Sequence, residues 1–523
     1  MITQNKKVEN TYSMKKALVL LVSFICYQIV CHAQVMDEHY YFKNLSVQNG
    51  LSQNTVNAIL QDKQGFMWFG TKDGLNRYDG LSFRQFKHDG RSQRSIGNNF
   101  ITALYEDAEG NIWVGTDVGL YIYYPENDSF RHFEELSAEE TKIEHTVTAI
   151  VGDDQGCVWI AVESQGLFCY DLEKEKLQNF TLKNFPFIST NVQSFVFDNS
   201  GTLWIGCYGD GLFYSKDRLK TLQPYISPVD NKETFENDVV TTLVKGLYIG
   251  SLRGGAKELN LTSNKLHDLL SVDENEEPVL CRNLLVASDN ELWIGAESGI
   301  YIYNLRMGKY VHLRSSINDP YSLSDNAVYS LCKDREGGIW IGSYFGGVNY
   351  YPRFYTYFEK YYPKGTDNGL HGKRVREFCQ DNQGILWIGT EDGGLNRFDP
   401  KTKTFSFFTP SNAFTNVHGL CLIGDHLWVG TFAKGVKVID TRTGAIVKTY
   451  QKTDSPRSLI DNSVFSICQT TTGDIYLGTL FGLLRYNKQT DDFDRIPELN
   501  GKFVYDIKED SGSNLWLATY ANG

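Results

Sequence analysis

The stretch at residues 107–123, DAEGNIWVGTDVGLYIY, carries the pattern that decides the fold. It predicts a turn from Asp107 to Gly110, an apolar strand centred on Trp113, a small residue at Gly115, and then a second turn and strand. The pattern recurs along the chain with a Trp or a Tyr at its centre, at spacings of 40 to 48 residues. The eleven centres are Trp68, Trp113, Trp159, Trp204, Tyr248, Trp293, Trp340, Trp387, Trp428, Tyr476 and Trp516. A period of this length is typical of sheets repeated around an axis.

The turn and the small residue of each repeat have a physical reason. An Asp precedes the aromatic centre by six residues in seven repeats, and a Gly precedes it by three in seven. This turn chemistry predicts that the Asp carboxylate accepts hydrogen bonds from nearby backbone N–H groups. A Gly follows the aromatic by two residues in nine repeats and leaves room for a large side chain of the next sheet; Ala161 and Ala518 are the exceptions. We therefore expect the repeated aromatic and Gly residues to form the core and not to contact a ligand.

Strands that are apolar on both faces, such as residues 66–69, indicate sheets that are buried on both sides. Each repeat supplies an inner strand, the Trp strand, a third strand and an outer strand, as in a blade of a β-propeller. Residues 40–45 resemble an outer strand and are expected to complete the last blade of the first ring, which leaves no open edge. The sequence therefore predicts an all-β fold of tandem β-propellers.

The seventh repeat is centred on Trp340, and an unusually aromatic segment that contains Pro352 follows it. The pattern restarts at Asn368, with Asn-Gly-Leu as in the first repeat. The sequence therefore predicts a complete seven-bladed propeller at residues 34–357. It predicts a partial second propeller at residues 358–523, truncated after about four blades.

The N-terminus has the pattern of an export signal. Lys15 and Lys16 precede an apolar run at residues 17–31, which is shorter than the roughly 20 residues of a spanning helix. Residues 1–33 are therefore predicted to be a signal peptide, with Met14 as an alternative start and an uncleaved anchor as the alternative outcome. The mature chain is expected outside the cytoplasm, in the periplasm.

Composition excludes several classes of partner. The formal net charge of −12 argues against binding to nucleic acid and to anionic membrane surfaces. Cys157 and Cys169 are expected in one hairpin without facing each other, so no disulfide is predicted. No CxxC motif or His/Cys cluster indicates a metal, and we predict neither a metal site nor a cofactor.

Three segments resemble a known family. WFGTKDGLNRYD at 68–79, WIGT followed by GGLNRFD at 387–399, and NGLSQN at 49–54 are similar to two-component regulator propeller repeats in the periplasmic sensor region of hybrid two-component proteins. In that family, two propellers precede an immunoglobulin-like domain, a membrane helix, a histidine kinase and usually a receiver with a DNA-binding domain. The resemblance implies an inner-membrane homodimer that senses oligosaccharides and controls polysaccharide-utilisation genes. The kinase is absent from these 523 residues, so we expect a sensing fragment that is not itself an enzyme, joined to the membrane only through a missing C-terminal helix or an uncleaved signal.

The alternative is a secreted propeller glycosidase or glycan-binding protein. Cleavage of a glycosidic bond needs two carboxyl groups about 5 to 10 Å apart, and no such pair stands out in the sequence. Acidic residues are frequent in the short loops between second and third strands, where we interpret them as solvated turn residues. These residues are Glu163, Asp210, Glu297, Glu391 and Asp392.

Variable residues of these loops and of the segments entering the inner strands are the candidate ligand site, because both groups of loops are expected on one face of a propeller. Aromatic faces with a few polar groups suit the apolar C–H faces and hydroxyl rim of a sugar. The candidates are Tyr208, Arg253, Tyr344, Phe345, Lys373, Arg374, Phe432 and Phe481. Tyr344 and Phe345 could equally pack against the second ring, and the basic cluster of Lys373 and Arg374 with His371 and Arg376 could equally be solvated or salt-bridged.

Overall fold

The computed structural model describes residues 40–135, 142–180, 191–228, 235, 238–244, 246–353, 358–365, 368–407 and 414–521. The predicted signal peptide lies outside these residues, as does the segment 354–357 at the predicted domain boundary. No helix among the described residues is long and apolar enough to cross a membrane. The chain divides into two compact units, with the division between Thr356 and Tyr357.

The predicted all-β fold is confirmed. Each complete sheet has four antiparallel strands, and the strand with the aromatic centre is next to the inner strand. In nine of the ten complete sheets the strands neighbour one another in sequence order, and the remaining sheet takes its outer strand from the start of the first unit. Helical structure in the described residues is limited to 3-10 segments at Val47–Asn49, Phe133–Glu135 and Pro497–Leu499. The predicted order of inner strand, Trp strand, third strand and outer strand therefore holds from repeat to repeat.

The first unit contains seven four-stranded sheets within residues 40–353. Sheets one to three are β2 (Val56–Gln61), β3 (Met67–Thr71), β4 (Gly74–Tyr78) and β5 (Phe83–Phe86); β6 (Ile101–Glu106), β7 (Ile112–Thr116), β8 (Leu120–Tyr124) and β9 (Ser129–His132); and β10 (Val147–Gly152), β11 (Cys157–Val162), β12 (Gly166–Asp171) and β13 (Lys176–Phe180). Sheets four to six are β14 (Val192–Phe197), β15 (Leu203–Cys207), β16 (Gly211–Ser215) and β17 (Gln223–Pro224); β18 (Val240–Val244), β19 (Tyr248–Ser251), β20 (Gly255–Asn260) and β21 (Lys265–Leu270); and β22 (Cys281–Ser288), β23 (Glu291–Ala296), β24 (Gly299–Asn304) and β25 (Lys309–Leu313).

The seventh sheet joins the start of the unit to its end. It contains β26 (Val328–Lys333), β27 (Ile339–Ser343) and β28 (Val348–Tyr351), and its outer strand is β1 (Lys43–Leu45). Lys43 lies opposite Tyr350 and Leu45 lies opposite Val348 in this antiparallel pair. The Ser330 hydroxyl of β26 also donates to the Val56 carbonyl of the first sheet over 3.0 Å. The predicted role of the N-terminal strand as an added outer strand is confirmed.

The second unit has three four-stranded sheets and one two-stranded sheet within its described residues. The four-stranded sheets are β29 (Val375–Gln380), β30 (Leu386–Thr390), β31 (Gly394–Asp399) and β32 (Thr404–Phe407); β33 (Val417–Ile423), β34 (His426–Thr431), β35 (Val436–Asp440) and β36 (Ile446–Tyr450); and β37 (Val464–Gln469), β38 (Ile475–Thr479), β39 (Gly482–Asn487) and β40 (Asp492–Arg495). The pair is β41 (Val504–Glu509) and β42 (Leu515–Thr519).

The Asp and the Trp of a repeat are joined by a hydrogen bond that the sequence pattern did not reveal. The indole N–H of Trp113 donates to Oδ2 of Asp107 over 2.9 Å, while Oδ1 accepts the backbone N–H of Asn111 over 2.9 Å. The same side-chain bond, at 2.7 to 2.9 Å, joins six further pairs, which are Trp68–Asp62, Trp159–Asp153, Trp204–Asp198, Trp340–Asp334, Trp387–Asp381 and Trp516–Asp510. The predicted capping role of the Asp is confirmed, and the same carboxylate also fixes the Trp ring.

The repeated Gly lets neighbouring sheets approach closely. A Cβ atom added at Gly70 would lie 2.6 Å from the Ile101 side chain of the second sheet, and one added at Gly115 would lie 2.7 Å from Val147 of the third. Of the eleven aromatic centres, Trp68, Trp113, Trp159, Trp293 and Trp387 are among the largest fully buried side chains. Trp516 of the two-stranded sheet is 67% exposed. Trp204, Trp340 and Trp428 are buried as well, so the predicted core role holds for these eight centres and fails for Trp516.

Every inner strand has a β-bulge at its second residue. In four sheets of the first unit, the side chain of this extra residue donates to a backbone carbonyl at the start of the next inner strand. The bonds are Asn57 to Ile101 at 2.9 Å, Thr102 to Val147 at 2.6 Å, Thr148 to Val192 at 2.7 Å and Thr241 to Cys281 at 2.8 Å. A bulge changes the direction of one side chain relative to the paired strands. Here that side chain forms a hydrogen bond to the neighbouring sheet.

Asp107→Ala should lower the free energy of unfolding by about 1–3 kcal/mol, because it leaves the buried indole N–H of Trp113 without an acceptor. Asp510→Ala is the matched control, since water can reach the exposed Trp516, and its loss of stability should be clearly smaller than that of Asp107→Ala. Urea denaturation followed by Trp fluorescence measures both. Equal losses in the two variants would show that the bond does not depend on burial.

Gly70→Ala should lower the free energy of unfolding by about 1–3 kcal/mol, because the added methyl group overpacks the contact with Ile101. Gly90→Ala is the control, since its nearest neighbour would be a His88 side-chain atom at 3.8 Å. The same denaturation measurement applies, and an unchanged midpoint for Gly70→Ala would disprove the close-approach role.

Candidate functional site

The loops between second and third strands lie beside the segments that enter the first strands. The Lys72 N–H donates to the Thr55 carbonyl over 3.3 Å, and the Tyr344 N–H donates to the Ala327 carbonyl over 2.9 Å. The equivalent bond occurs in each of the seven sheets of the first unit. We call the surface formed by these paired segments the loop face. The expectation that both groups of loops share one face is consistent with these bonds.

At the sixth and seventh sheets, the bulge residues are Arg282 and Tyr329, whereas the other five sheets of the first unit have Asn, Thr or Gln there. Arg282 Nε donates to Oε1 of Glu297 over 2.6 Å, and the guanidinium carbon lies 5.0 Å from the centre of the Tyr329 ring. The Tyr329 hydroxyl donates to the same carboxylate oxygen over 3.4 Å. Burial raises the pKa of Tyr329, so the phenol stays protonated and remains a donor at neutral pH.

The seventh sheet extends this group with two further rings. The Tyr344 ring centre lies 5.0 Å from that of Tyr329 and 4.6 Å from that of Phe345, at an interplanar angle of 90° to the latter. Lys72 Nζ of the first sheet donates to the Tyr344 hydroxyl over 2.5 Å and lies 4.1 Å from the ring centre. Phe345 is 73% exposed. We call this set the aromatic arc: Arg282, Glu297, Tyr329, Tyr344, Phe345 and Lys72.

The aromatic arc offers an exposed ring, a row of partly covered rings and three charged groups that are held in place by hydrogen bonds. Such a surface can stack against the C–H face of a pyranose while its fixed donors and acceptors meet hydroxyl groups. Glu297 is its single carboxylate, so the arc by itself lacks the two carboxyl groups of a glycosidase centre.

Tyr208 and Arg253, two other candidates from the sequence, lie in loops that both bond to Asp238. Tyr208 is exposed after β15, and Arg253 lies in the turn between β19 and β20. The carboxylate of the buried Asp238 accepts the Arg253 N–H over 2.9 Å, and the Asp238 carbonyl accepts the N–H of Gly209 over 2.8 Å. The structure therefore brings the Tyr208 and Arg253 loops together through Asp238. Neither residue has a described contact with the aromatic arc.

In the second unit, acidic neighbours neutralise the basic candidates. The Asp392 carboxylate accepts the backbone N–H groups of Lys373 and Arg374 at 2.9 and 3.2 Å, and Glu391 lies 3.8 Å from the Arg374 guanidinium. The backbone bonds and the ion pair hold the carboxylates Asp392 and Glu391 beside Lys373 and Arg374, so the cluster has little net positive charge.

The aromatic candidates of the second unit are separate from each other in the described contacts. Phe432 is exposed, and its ring centre lies 6.3 Å from His418 and 6.2 Å from Phe465. Phe481 is also exposed, and its N–H donates to the Thr479 hydroxyl over 3.3 Å. Burial and the Arg376 guanidinium lower the pKa of His418, which favours its neutral form beside these rings.

The interpretation of the loop acids as solvated turn residues is wrong for Glu297 and Glu391, which are half-buried and paired with arginines. It agrees with Asp392, which is exposed in its turn and accepts backbone N–H groups. Glu297 is paired with Arg282 and Tyr329, because the bulge turns both side chains towards its loop. Sequence reasoning missed Arg282 and Tyr329 as candidates. The available signal was their register, since Asn, Thr or Gln occupies the same position in the first five repeats.

One group of potential metal ligands lies elsewhere in the first unit. Ligand atoms of Asp273, Glu274 and His312 lie within 4.8 Å of one another. The Arg314 guanidinium lies 3.3 Å from Asp273 and 3.5 Å from Glu274, and its Nε lies 3.2 Å from the His312 ring. A cation of the protein thus already neutralises these carboxylates, which makes the group an ion-pair cluster.

Comparison with known sequences gives one family and one curated relative. The family described as two component regulator propeller matches residues 50–73, 95–118, 186–209, 322–345 and 369–392. A histidine kinase of Formosa agariphila is 36% identical over 78 residues, which are 15% of this chain and 5% of that protein. The chain therefore matches only a small part of the length of this relative.

Solved structures agree with the sequence repeats. The extracellular domain of a protein described as a hybrid two-component system of B. thetaiotaomicron has a TM-score of 0.65 at 25% identity, over 92% of this chain and 70% of that one. A second extracellular domain from B. thetaiotaomicron, described as belonging to a one-component system, has a TM-score of 0.52 at 19% identity, over 92% of this chain and 71% of that one, and shows the shared fold alone. The chain carries two-component regulator propeller repeats and resembles the extracellular domains of hybrid two-component systems.

Proposed function

We propose that this chain is the ligand-sensing region of a hybrid two-component sensor histidine kinase and that its ligand is an oligosaccharide. Export places the region in the periplasm, and the full-length protein is a homodimer in the inner membrane that controls polysaccharide-utilisation genes. The repeats and the likeness to extracellular domains of hybrid two-component systems support this assignment.

The proposal includes the domain plan. We assign residues 34–357 to a complete seven-bladed propeller and residues 358–523 to part of a second one. The seven sheets of the first unit, and the pairing of β1 with β28, support the first assignment. The repeated Asp–Trp bond in Trp387 and Trp516 supports the second.

The aromatic arc is the observation that supports an oligosaccharide as the ligand. Its ring centres are 4.6 to 5.0 Å apart along Tyr329, Tyr344 and Phe345, and hydrogen-bonded charges contact the first two rings, which leaves Phe345 exposed. Rings in a row, one of them exposed, match the apolar faces of consecutive sugar residues. Because the arc has one carboxylate, we propose binding without cleavage.

Binding of the purified chain to a panel of neutral and acidic glycans tests the proposal. Tyr344→Ala and Phe345→Ala should each weaken the affinity for the captured glycan by about 2- to 12-fold, since an aromatic stacking contact contributes about 0.5–1.5 kcal/mol. Isothermal titration calorimetry measures the change.

Leu81→Ala is the matched control, because Leu81 is an exposed apolar side chain outside the aromatic arc. Its affinity should equal that of the parent chain. Unchanged affinity in both arc variants would remove the arc as the ligand site, and a panel without any captured glycan would contradict the oligosaccharide. New reducing ends during incubation would show a glycosidase instead.

A further inference from the structure

A groove with strong positive charge lies between the third and fourth sheets of the first unit. Its volume is about 580 Å³, within the range of about 300–1,000 Å³ that is usual for ligand sites. Four cationic side chains line it; Asp171 is the single carboxylate among the lining residues, and the buried Asp153 carboxylate lies against Arg218, which leaves a formal net charge of +2. We call it the cation groove; its cations are Lys174, Lys176, Arg218 and Lys220.

The repeated scaffold supplies an internal comparison. A groove of about 370 Å³ between the first and second sheets is lined by two cations, Lys63 and Arg77, and by four carboxylates, which are Asp62, Glu106, Glu109 and Glu126. A groove of about 690 Å³ between the fourth and fifth sheets is lined by Asp198 and Lys216 as its charged residues. The architecture therefore does not require a cationic groove. In a chain with a net charge of −12, this local excess of cations stands out.

One cation of the groove is held rigidly by the backbone. Arg218 has φ +57° and Leu219 has φ +64°, so two consecutive residues with side chains adopt the left-handed region. Leu219 is buried, and its N–H donates to the Ser215 hydroxyl over 2.8 Å. Such a conformation costs free energy and persists where the surroundings enforce it. Here it places the Arg218 guanidinium against the Asp153 carboxylate and 5.7 Å from the centre of the Trp159 ring.

The remaining cations differ in their availability. Lys174 Nζ lies 2.6 Å from Asp171, so its charge is already matched. Lys176 and Lys220 are exposed and line the groove, and neither has an ion pair with a described residue. Phe180 also lines the groove, with its ring stacked 5.4 Å from that of Trp159. Two unmatched ammonium groups beside an aromatic side chain can form charge-assisted hydrogen bonds to a sugar that carries anions.

We propose that the cation groove binds an oligosaccharide that carries carboxylate or sulfate groups, at a site distinct from the aromatic arc. The sugar part of this inference rests on the proposed function, whereas the anionic part rests on the charges of the groove. Sulfate esters and uronic acid carboxylates share the chemistry that Lys176 and Lys220 recognise.

The test is calorimetric binding of the purified chain to three probes: a heparin-derived tetrasaccharide, tetragalacturonate and neutral maltotetraose. At least one anionic probe should bind ten times more tightly than maltotetraose. The double variant Lys176→Gln/Lys220→Gln should weaken that binding at least tenfold, and a rise from 50 to 300 mM NaCl should weaken it in the parent chain, as expected for ion pairing.

Lys216→Gln is the matched control, because Lys216 lines the equivalent groove between the fourth and fifth sheets. It should bind the anionic probe within twofold of the parent chain. Parent-like affinity in the Lys176→Gln/Lys220→Gln variant, equal affinity for maltotetraose, or no binding of either anionic probe would overturn the proposal. Binding of the heparin-derived tetrasaccharide but not of tetragalacturonate would identify sulfate as the recognised group, because both probes carry carboxylates.

Tyr344→Ala separates this inference from the proposed site at the arc. If the groove binds independently, this variant keeps the parent affinity for the anionic probe. Weakened binding of the glycan assigned to the arc, together with retained anionic binding, would support two separate sites. Unchanged binding of that glycan, together with retained anionic binding, would contradict the arc alone. Loss of anionic binding in Tyr344→Ala would contradict a separate groove site.

Discussion

The hydrogen bond from a buried indole to an Asp six residues earlier is the constraint on which the sheets depend. An indole N–H without an acceptor is costly in an apolar interior, and in seven repeats the turn before the Trp strand supplies that acceptor as an Asp carboxylate. The same carboxylate caps the turn through its other oxygen, as Asp107 does for the N–H of Asn111. One side chain thereby fixes the turn, the start of the second strand and the orientation of the ring that packs between sheets.

With the Trp strand fixed in this way in seven of the eleven repeats, variation is concentrated at the bulges and the loop face. Thr102 and Thr148 use the bulge to tie one sheet to the next, whereas Arg282 and Tyr329 use the same position to support a surface. The same bulge position thus holds neighbouring sheets together in one part of the first unit and supports a candidate binding surface in another. The charge of the grooves between sheets varies in the same manner, because no repeated contact depends on it.

The repeat period and the Asp, Gly and Trp positions were enough to predict the strand order, because each has a local physical role. The Trp–Asp bond could not be read from spacing alone, since it needs the turn geometry. Repeats that replace the Asp show the limit of the pattern: Trp293 bonds Glu291, two residues away, and Leu422 stands six residues before Trp428. The aromatic arc was only half predictable. Tyr344 and Phe345 lie in a variable loop, but Arg282 and Tyr329 become visible only through the bulge register.

The pairing of β1 with β28 has a kinetic consequence. Lys43 and Tyr350 are neighbours in space although about three hundred residues separate them along the chain. The entropy of closing so long a loop must be overcome before their contacts form, and such non-local pairing slows folding. When the chain emerges from its N-terminus, β1 appears first and cannot pair until β26, β27 and β28 have followed. Until then its edge is open to foreign strands, which makes this interval the period of greatest vulnerability to misassembly.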